Sequence, residues 1–236
     1  MKSKKIAPLV VVGLLSAWAP AAHVDAQSQA QPKLEIPKPG VPQVMTMEGR
    51  FVRAAYNNEG YAILGYQVAN RSLGEEWMLL EVGLALRDRV PDYTMLRDAL
   101  SLETPDGKTI PLATIPEHRE GNTAALQNRA RVQRDSINYF PPNASRACAL
   151  VFFPELGAPA LPRDDVFMDD QRACVGRLFF KIPGGIKYGQ HWLNVKFAKS
   201  LVRVPFRILT EEEEKFLSKN YKDISKQVED AFKKKS

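Results

Sequence analysis

The sequence predicts a mainly β protein, with antiparallel strands packed as a sandwich, a helical insert and a C-terminal amphipathic helix. Short runs rich in β-branched and aromatic residues recur between turn signals such as Asn57-Asn58-Glu59-Gly60 and Thr104-Pro105-Asp106-Gly107. Only two segments, 123–134 and 211–232, read as helical. A length of 236 residues suits one substantial core.

At the N-terminus, Lys2, Lys4 and Lys5 precede an apolar run over residues 6–18, and Val24-Asp25-Ala26 supplies small or modest side chains for a cleavage site. Residues 1–26 are therefore expected to be a signal peptide. The run is shorter than the roughly 20 apolar residues that a spanning helix needs, so an uncleaved anchor is the weaker alternative. No cysteine near the cleavage point is placed to take a lipid, and no later segment is apolar over a spanning length. The mature chain is expected to be soluble, without a transmembrane segment, and periplasmic or secreted. Its short, lysine-led signal is bacterial in style.

Residues 27–43 are polar and proline-rich, which describes a flexible arm. The β-sandwich is expected over 44–209. Its strands are read at 44–55, 61–69, 77–87, 100–103, 108–112, 147–153, 175–181, 191–198 and 201–209. The run 77–87 is apolar on both faces and so reads as central. The last segment, 210–236, opens on Thr210 with Glu213 three residues later, the signature of a capping box. Its acidic first turn and basic last turn suit the helix dipole. Leu217, Tyr221, Ile224, Val228 and Ala231 form one apolar stripe, which either packs on the strands or docks a partner.

The chain has two cysteines, Cys148 and Cys174, and in an oxidising compartment an even pair is expected to be bridged, with two buried thiols as the alternative. They are not spaced as Cys-x-x-Cys and no helix start follows either, which argues against thiol-redox chemistry. Formal net charge is +6; loss of three lysines and Asp25 with the signal would lower it to about +4. With no basic stripe bearing aromatics, nucleic acid is not an expected partner.

Motifs for hydrolysis or phosphate binding are absent: there is no Gly-x-Ser-x-Gly, no His-Glu-x-x-His and no glycine-rich phosphate loop. Only His118 and His191 remain beyond the signal, so a hydrolase would need one of them joined in space to a carboxylate and a hydroxyl. Two metal readings exist. Met45 and Met47 share a strand face and, with His191, offer soft ligands for copper. Asp164, Asp165, Asp169 and Asp170 crowd one loop and offer oxygens for calcium, without the spacing of an EF-hand. Core filling and a solvated loop are the ordinary roles of these residues. The sequons Asn70-Arg71-Ser72 and Asn143-Ala144-Ser145 matter only in a eukaryotic source.

The stretch Val68-Ala-Asn-Arg-Ser72, the apolar strand at 77–86 and Leu102-Glu-Thr-Pro-Asp-Gly-Lys-Thr-Ile-Pro-Leu112 resemble the immunoglobulin-like modules of bacterial exported proteins. The resemblance implies a scaffold that binds or assembles and carries no chemistry of its own. The expectation is a non-enzymatic extracytoplasmic binding or assembly protein, with no cofactor and with a protein partner in the cell envelope. The contact would lie on the arm 27–43, the loop 154–174 or the final helix. A metal-handling protein and a hydrolase with a dispersed site are the alternatives; oligomeric state is not fixed. N-terminal mass spectrometry of the exported protein is expected to find Gln27 first, and a chain still carrying residues 1–26 would refute cleavage.

Overall fold

The computed structural model describes Leu34, residues 43–155 and residues 161–233. The expected signal peptide, the arm apart from Leu34 and Gln43, and residues 234–236 lie outside the described residues. The chain is mainly β, with antiparallel pairing throughout save at one strand, and ends in a long helix.

Met45 and Met47 point inward from β1 (Val44–Gly49), while Val44 and Thr46 are partly exposed, giving the period of a half-buried strand. The run read as one strand over 44–55 is in fact a hairpin: β1 turns at Arg50-Phe51 and returns as β2 (Val52–Tyr56). No Asn-Gly or proline marks this turn. Instead the Arg53 guanidinium donates to Gly49 O at 2.9 Å and Val52 O at 2.8 Å, closing the turn from the side. The next turn follows its sequence signal, because Asn57 Oδ1 accepts from the amides of Glu59 and Gly60 at 2.9 and 3.0 Å. It leads to β3 (Gly60–Gly65). The expected continuation of that strand to 69 folds instead into a short helix, α1 (Gln67–Asn70). Distant residues redirect it: Asp135 accepts from the Gln67 amide at 2.9 Å, and Asn70 Oδ1 accepts from the Leu209 amide at 2.7 Å.

Strand β4 (Trp77–Leu86) is buried from Met78 to Leu86 and lies inside the larger sheet, as its two apolar faces predict. Two four-residue strands, β5 (Tyr93–Leu96) and β9 (Asp165–Met168), pair as a small separate ribbon that the sequence reading did not find. The hairpin around Pro105-Asp106-Gly107 forms as expected, from β6 (Leu100–Glu103) and β7 (Thr109–Pro111). Next comes an unforeseen helix, α2 (Ile115–Glu120), capped reciprocally by Thr114 and Glu117, and then the expected α3 (Ala124–Val132). The later strands are β8 (Arg146–Leu150), β10 (Arg172–Lys181), β11 (Gly189–Lys196) and β12 (Leu201–Ile208).

The six-stranded sheet runs in the order β1-β2-β3-β4-β10-β8, and the four-stranded sheet β12-β11-β6-β7. The exception to antiparallel pairing is β8, which runs parallel to β10. A parallel neighbour needs a long connection, here the chain that returns through β9. Cys148 and Cys174 are directly opposite residues on these two strands, and they are bridged. Closing a loop across a separation of 26 residues stabilises by about 3 kcal/mol in the chain-entropy picture.

One apolar core is shared by both sheets, with Leu64, Leu79 and Phe179 from the larger and Leu193, Val202 and Phe206 from the smaller. A second, smaller cluster of Val52, Ala54, Ile63 and Ile137 includes the chain that follows α3. That chain approaches so closely that a Cβ at Gly65 would sit 2.6 Å from Asp135 Cβ, and one at Gly83 2.5 Å from the Phe140 ring. Glycine is required at both positions for contact, not for its φ.

The final helix, α4 (Glu211–Lys233), begins with the predicted box: Glu213 accepts from the Thr210 amide at 3.0 Å, and Thr210 Oγ1 from the Glu213 amide at 3.2 Å. It bends at Asn220, whose side chain donates to Phe216 O at 2.9 Å. Leu217, Val228 and Phe232 are buried in the main core, with Tyr221, Ile224 and Ala231 packed against it. The Tyr221 hydroxyl donates to Met47 O at 2.7 Å, so the helix lies along the edge strand β1. The stripe Leu217, Tyr221, Ile224 and Val228 is thus occupied by the chain's own core, which corrects its reading as a docking face. Leu217→Ala is expected to lower stability by about 2–4 kcal/mol, and Tyr221→Phe by about 1 kcal/mol. Urea unfolding measures both, and wild-type midpoints would mean the helix does not depend on this packing.

Candidate functional site

The residues singled out for metal do not converge. Met45 and Met47 are 1% and 7% exposed within the main core, where thioethers fill apolar space. His191 is buried elsewhere in the fold: its ring stacks on Phe206 with centroids 5.3 Å apart, and its Nδ1 lies 3.0 Å from Gly189 O. The four aspartates are each engaged. Asp164 pairs with Arg97 at 3.4 Å, Asp165 with Arg163 at 3.2 Å and Asp169 with Arg172 at 2.9 Å, while Asp170 accepts from the Arg89 amide at 3.0 Å. Among the described residues no three His, Cys, Asp or Glu side chains form a metal-binding group. Neither ligand set is assembled, because each member is committed to packing or to an arginine.

A small cavity of about 20 Å³ does bring His191 together with a carboxylate and a hydroxyl, those of Asp106 and Thr104. The Thr104 hydroxyl, however, faces Asp106 Oδ1 at 2.6 Å and Lys108 O at 3.1 Å, so it serves the hairpin turn rather than the histidine. The space is that of about one water molecule, too little for a substrate. The other histidine, His118, is held among rings: Phe179 at 4.5 Å, Phe153 at 4.9 Å and Trp77 at 6.4 Å between centroids. Its Nε2 lies 3.2 Å from Thr123 Oγ1, and no carboxylate meets its Nδ1 among the described residues. The nearby Arg97 guanidinium covers Phe153 at 4.7 Å and donates to Phe152 O at 2.6 Å and to Ala113 O. This is a packed aromatic cluster. The two sequons are equally committed: Asn70 is buried, and Asn143 donates to Leu86 O at 3.3 Å and to Asp170 O.

Two buried carboxylates stand behind the sheet. Glu81 on β4 accepts from the Asp135 amide at 2.8 Å and faces Arg177 across the strand pair at 3.7 Å. Burial raises both acids, Asp135 to about 6, and the proximity of Glu81 adds to the shift on Asp135. No cavity opens onto either carboxylate among those described, so they read as a structural anchor.

The surface that can receive something else lies beside the disulfide. An open groove of about 260 Å³ runs between β8 and β9, with Ala147, Ala149 and Val151 on one wall and Phe167 on the other. Arg163 and Arg172 rim it, Arg172 stacking over Phe167 at 5.0 Å. On the ribbon, Met95, Val166 and Met168 turn inward, which puts Leu96 (53% exposed) and Phe167 (42%) on one outward face. Leu161, in the same connection, is 82% exposed. These lie on or against the loop 154–174 flagged in the sequence. The alternation in Asp165-Val-Phe-Met168 was the available signal for the ribbon, but four residues are too few to call a strand unaided. A larger depression, at the start of α4, is lined by side chains that bind one another, Arg71 with Glu214 at 2.6 Å and Arg50 with Ser218 at 3.0 Å.

Comparison with protein-family models, with curated proteins and with solved structures finds no match to this chain.

Burial holds both His118 and His191 at about 4, below their ordinary 6.5; the Arg97 charge lowers His118 further. The unfolded chain therefore takes up protons first, and stability falls as pH drops from about 6.5 toward 4. Asp135 opposes this, since its folded-state value of about 6 exceeds the unfolded 3.8 and stability rises as pH falls through that window. At pH 5 the histidines are expected to cost about 2 kcal/mol each, and Asp135 to return about 1 kcal/mol. In urea unfolding at pH 7 and pH 5, His118→Gln should cut the acid loss to about a third and Asp135→Asn should deepen it. Profiles parallel to wild type would refute the assignment.

Proposed function

We propose that this chain is a non-enzymatic extracytoplasmic binding or assembly protein. In this reading its two sheets form an immunoglobulin-like sandwich frame, and its contact surface is the β5–β9 ribbon with the adjoining edge of β8. The observation that carries it is the exposure of Leu96 and Phe167 on one outward face of the ribbon, with Phe167 lining an open groove, in a chain that buries its other apolar stripe at α4. Contiguous exposed apolar surface next to a rigid frame is characteristic of a contact site. The bridged cysteines suit an oxidising compartment, and no described helix is long and apolar enough to cross a membrane. Of the three contact regions weighed from the sequence, the final helix packs its stripe on the core, the arm is described only at Leu34 and Gln43, and the loop 154–174, described except for 156–160, carries Phe167 and the groove.

The test is crosslinking of tagged protein in its native envelope fraction, wild type against the double variant Leu96→Asp, Phe167→Asp. A discrete crosslinked complex is expected for wild type and its loss for the variant, with unchanged thermal midpoint and circular dichroism. Recovery of wild-type protein without adducts, or adducts indifferent to the substitutions, would sink the assignment.

A further inference from the structure

The two larger sheets have four end strands, and three carry a feature that blunts further pairing. At β1, the Tyr221 and Ser225 hydroxyls of α4 lie on Met47 O. At β12, the Gln43 side chain acts as a surrogate peptide: its Nε2 donates to Arg203 O at 2.7 Å and its Oε1 accepts from the Arg203 amide at 2.9 Å. Strand β7 is three residues long and ends in Pro111.

Strand β8 is different. The Arg146 amide donates to Gln171 O at 2.8 Å, so in this parallel pair residues 146, 148 and 150 turn their N–H and C=O groups toward β10. Residues 147, 149 and 151 turn theirs away. Val151 O is taken by the Arg163 amide at 2.7 Å, whereas the outward groups of Ala147 and Ala149 have no partner among the described residues. Both side chains are exposed methyls that leave the edge approachable, and the bridge through Cys148 holds the strand in place.

We propose that β8 is a strand-addition site, taking an extended segment of a partner protein with acidic residues at its ends and apolar side chains toward Phe167. This rests on the reading of the same surface as the contact site. Backbone pairing at 147 and 149 supplies affinity, and Phe167 selects the side chains. The acidic ends follow from charge: Arg163 and Arg172 on the groove are each paired with an aspartate, whereas exposed Arg146, at the start of β8, has no ion pair among the described residues. A second copy would bring its own unpaired Arg146 to the strand, which disfavours self-pairing.

The probe is a fluorescein-labelled peptide Asp-Val-Thr-Val-Thr-Val-Asp, titrated by anisotropy into the mature protein beside a Lys-ended counterpart. Saturable binding is expected, with hydrogen exchange slowed at the Ala147 and Ala149 amides. Ala149→Pro removes one outward N–H without touching the β10 pairing, and should weaken binding by about tenfold or more at an unchanged thermal midpoint. Should that variant misfold, Arg146→Glu tests the charge, and it should narrow or reverse the preference over the Lys-ended peptide. Absence of binding, binding without protection of those amides, or indifference to the variants overturns strand addition. A wild-type dimer that Ala149→Pro turns into monomer also overturns it, assigning the edge to a second copy. If the envelope crosslinks depend on Leu96 and Phe167 but survive Ala149→Pro, the contact surface stands and strand addition alone falls.

Discussion

An end strand carries a row of peptide groups whose hydrogen bonds the sheet itself does not satisfy, and much of the chain outside the two sheets answers that demand. The 23-residue α4 lies along β1, and one glutamine, Gln43, satisfies both backbone groups of Arg203 on β12. Gln43 shows how economical the solution is, since its side-chain amide has the donor and acceptor of a peptide and needs no further strand. Among the described residues the edge beside the disulfide lacks such cover at Ala147 and Ala149, and Phe167 of the ribbon lies across the groove from it.

A second constraint is set by charge inside the larger sheet. Glu81 is 5% exposed on a strand otherwise apolar from Met78 to Leu86, opposite Arg177. An ion pair so placed contributes little net stability, because desolvation offsets its attraction. What it supplies is position. Glu81 receives the Asp135 amide, Asp135 receives the Gln67 amide, and the chain after α3 is thereby fixed where Gly65 and Gly83 leave room for it. A separate network, in which Arg53 on β2 donates at 2.6 Å to the hydroxyl of Tyr66 just after β3, holds the first hairpin.

How far the sequence could be read follows from where each signal resides. The Asn57 turn, the Pro105-Asp106-Gly107 hairpin, the doubly apolar β4 and the Thr210–Glu213 cap were legible because each depends on neighbours in sequence. The break at Arg50-Phe51 was not, since Arg53 closes it from the side. Nor was α1, where Asp135, 68 residues away, redirects the chain. The capping pattern of α2 was present in Thr114 and Glu117 but was passed over in so short a helix. At the proposed contact surface, the loop was identifiable from composition and its cysteines. The parallel direction of β8 was not, because strand direction is a property of the partner, and that direction decides which peptide groups face outward.

The meeting of β1 with α4 joins the two ends of the described fold. A ribosome makes this chain N-terminus first, so the first strand is complete long before the residues that shield it exist. Until Tyr221 and Ser225 have emerged, the Met47 carbonyl on the free margin of β1 lacks the hydroxyls that cover it in the fold. Native closure of that margin therefore waits for a helix whose hydroxyl lies 174 residues further along the chain.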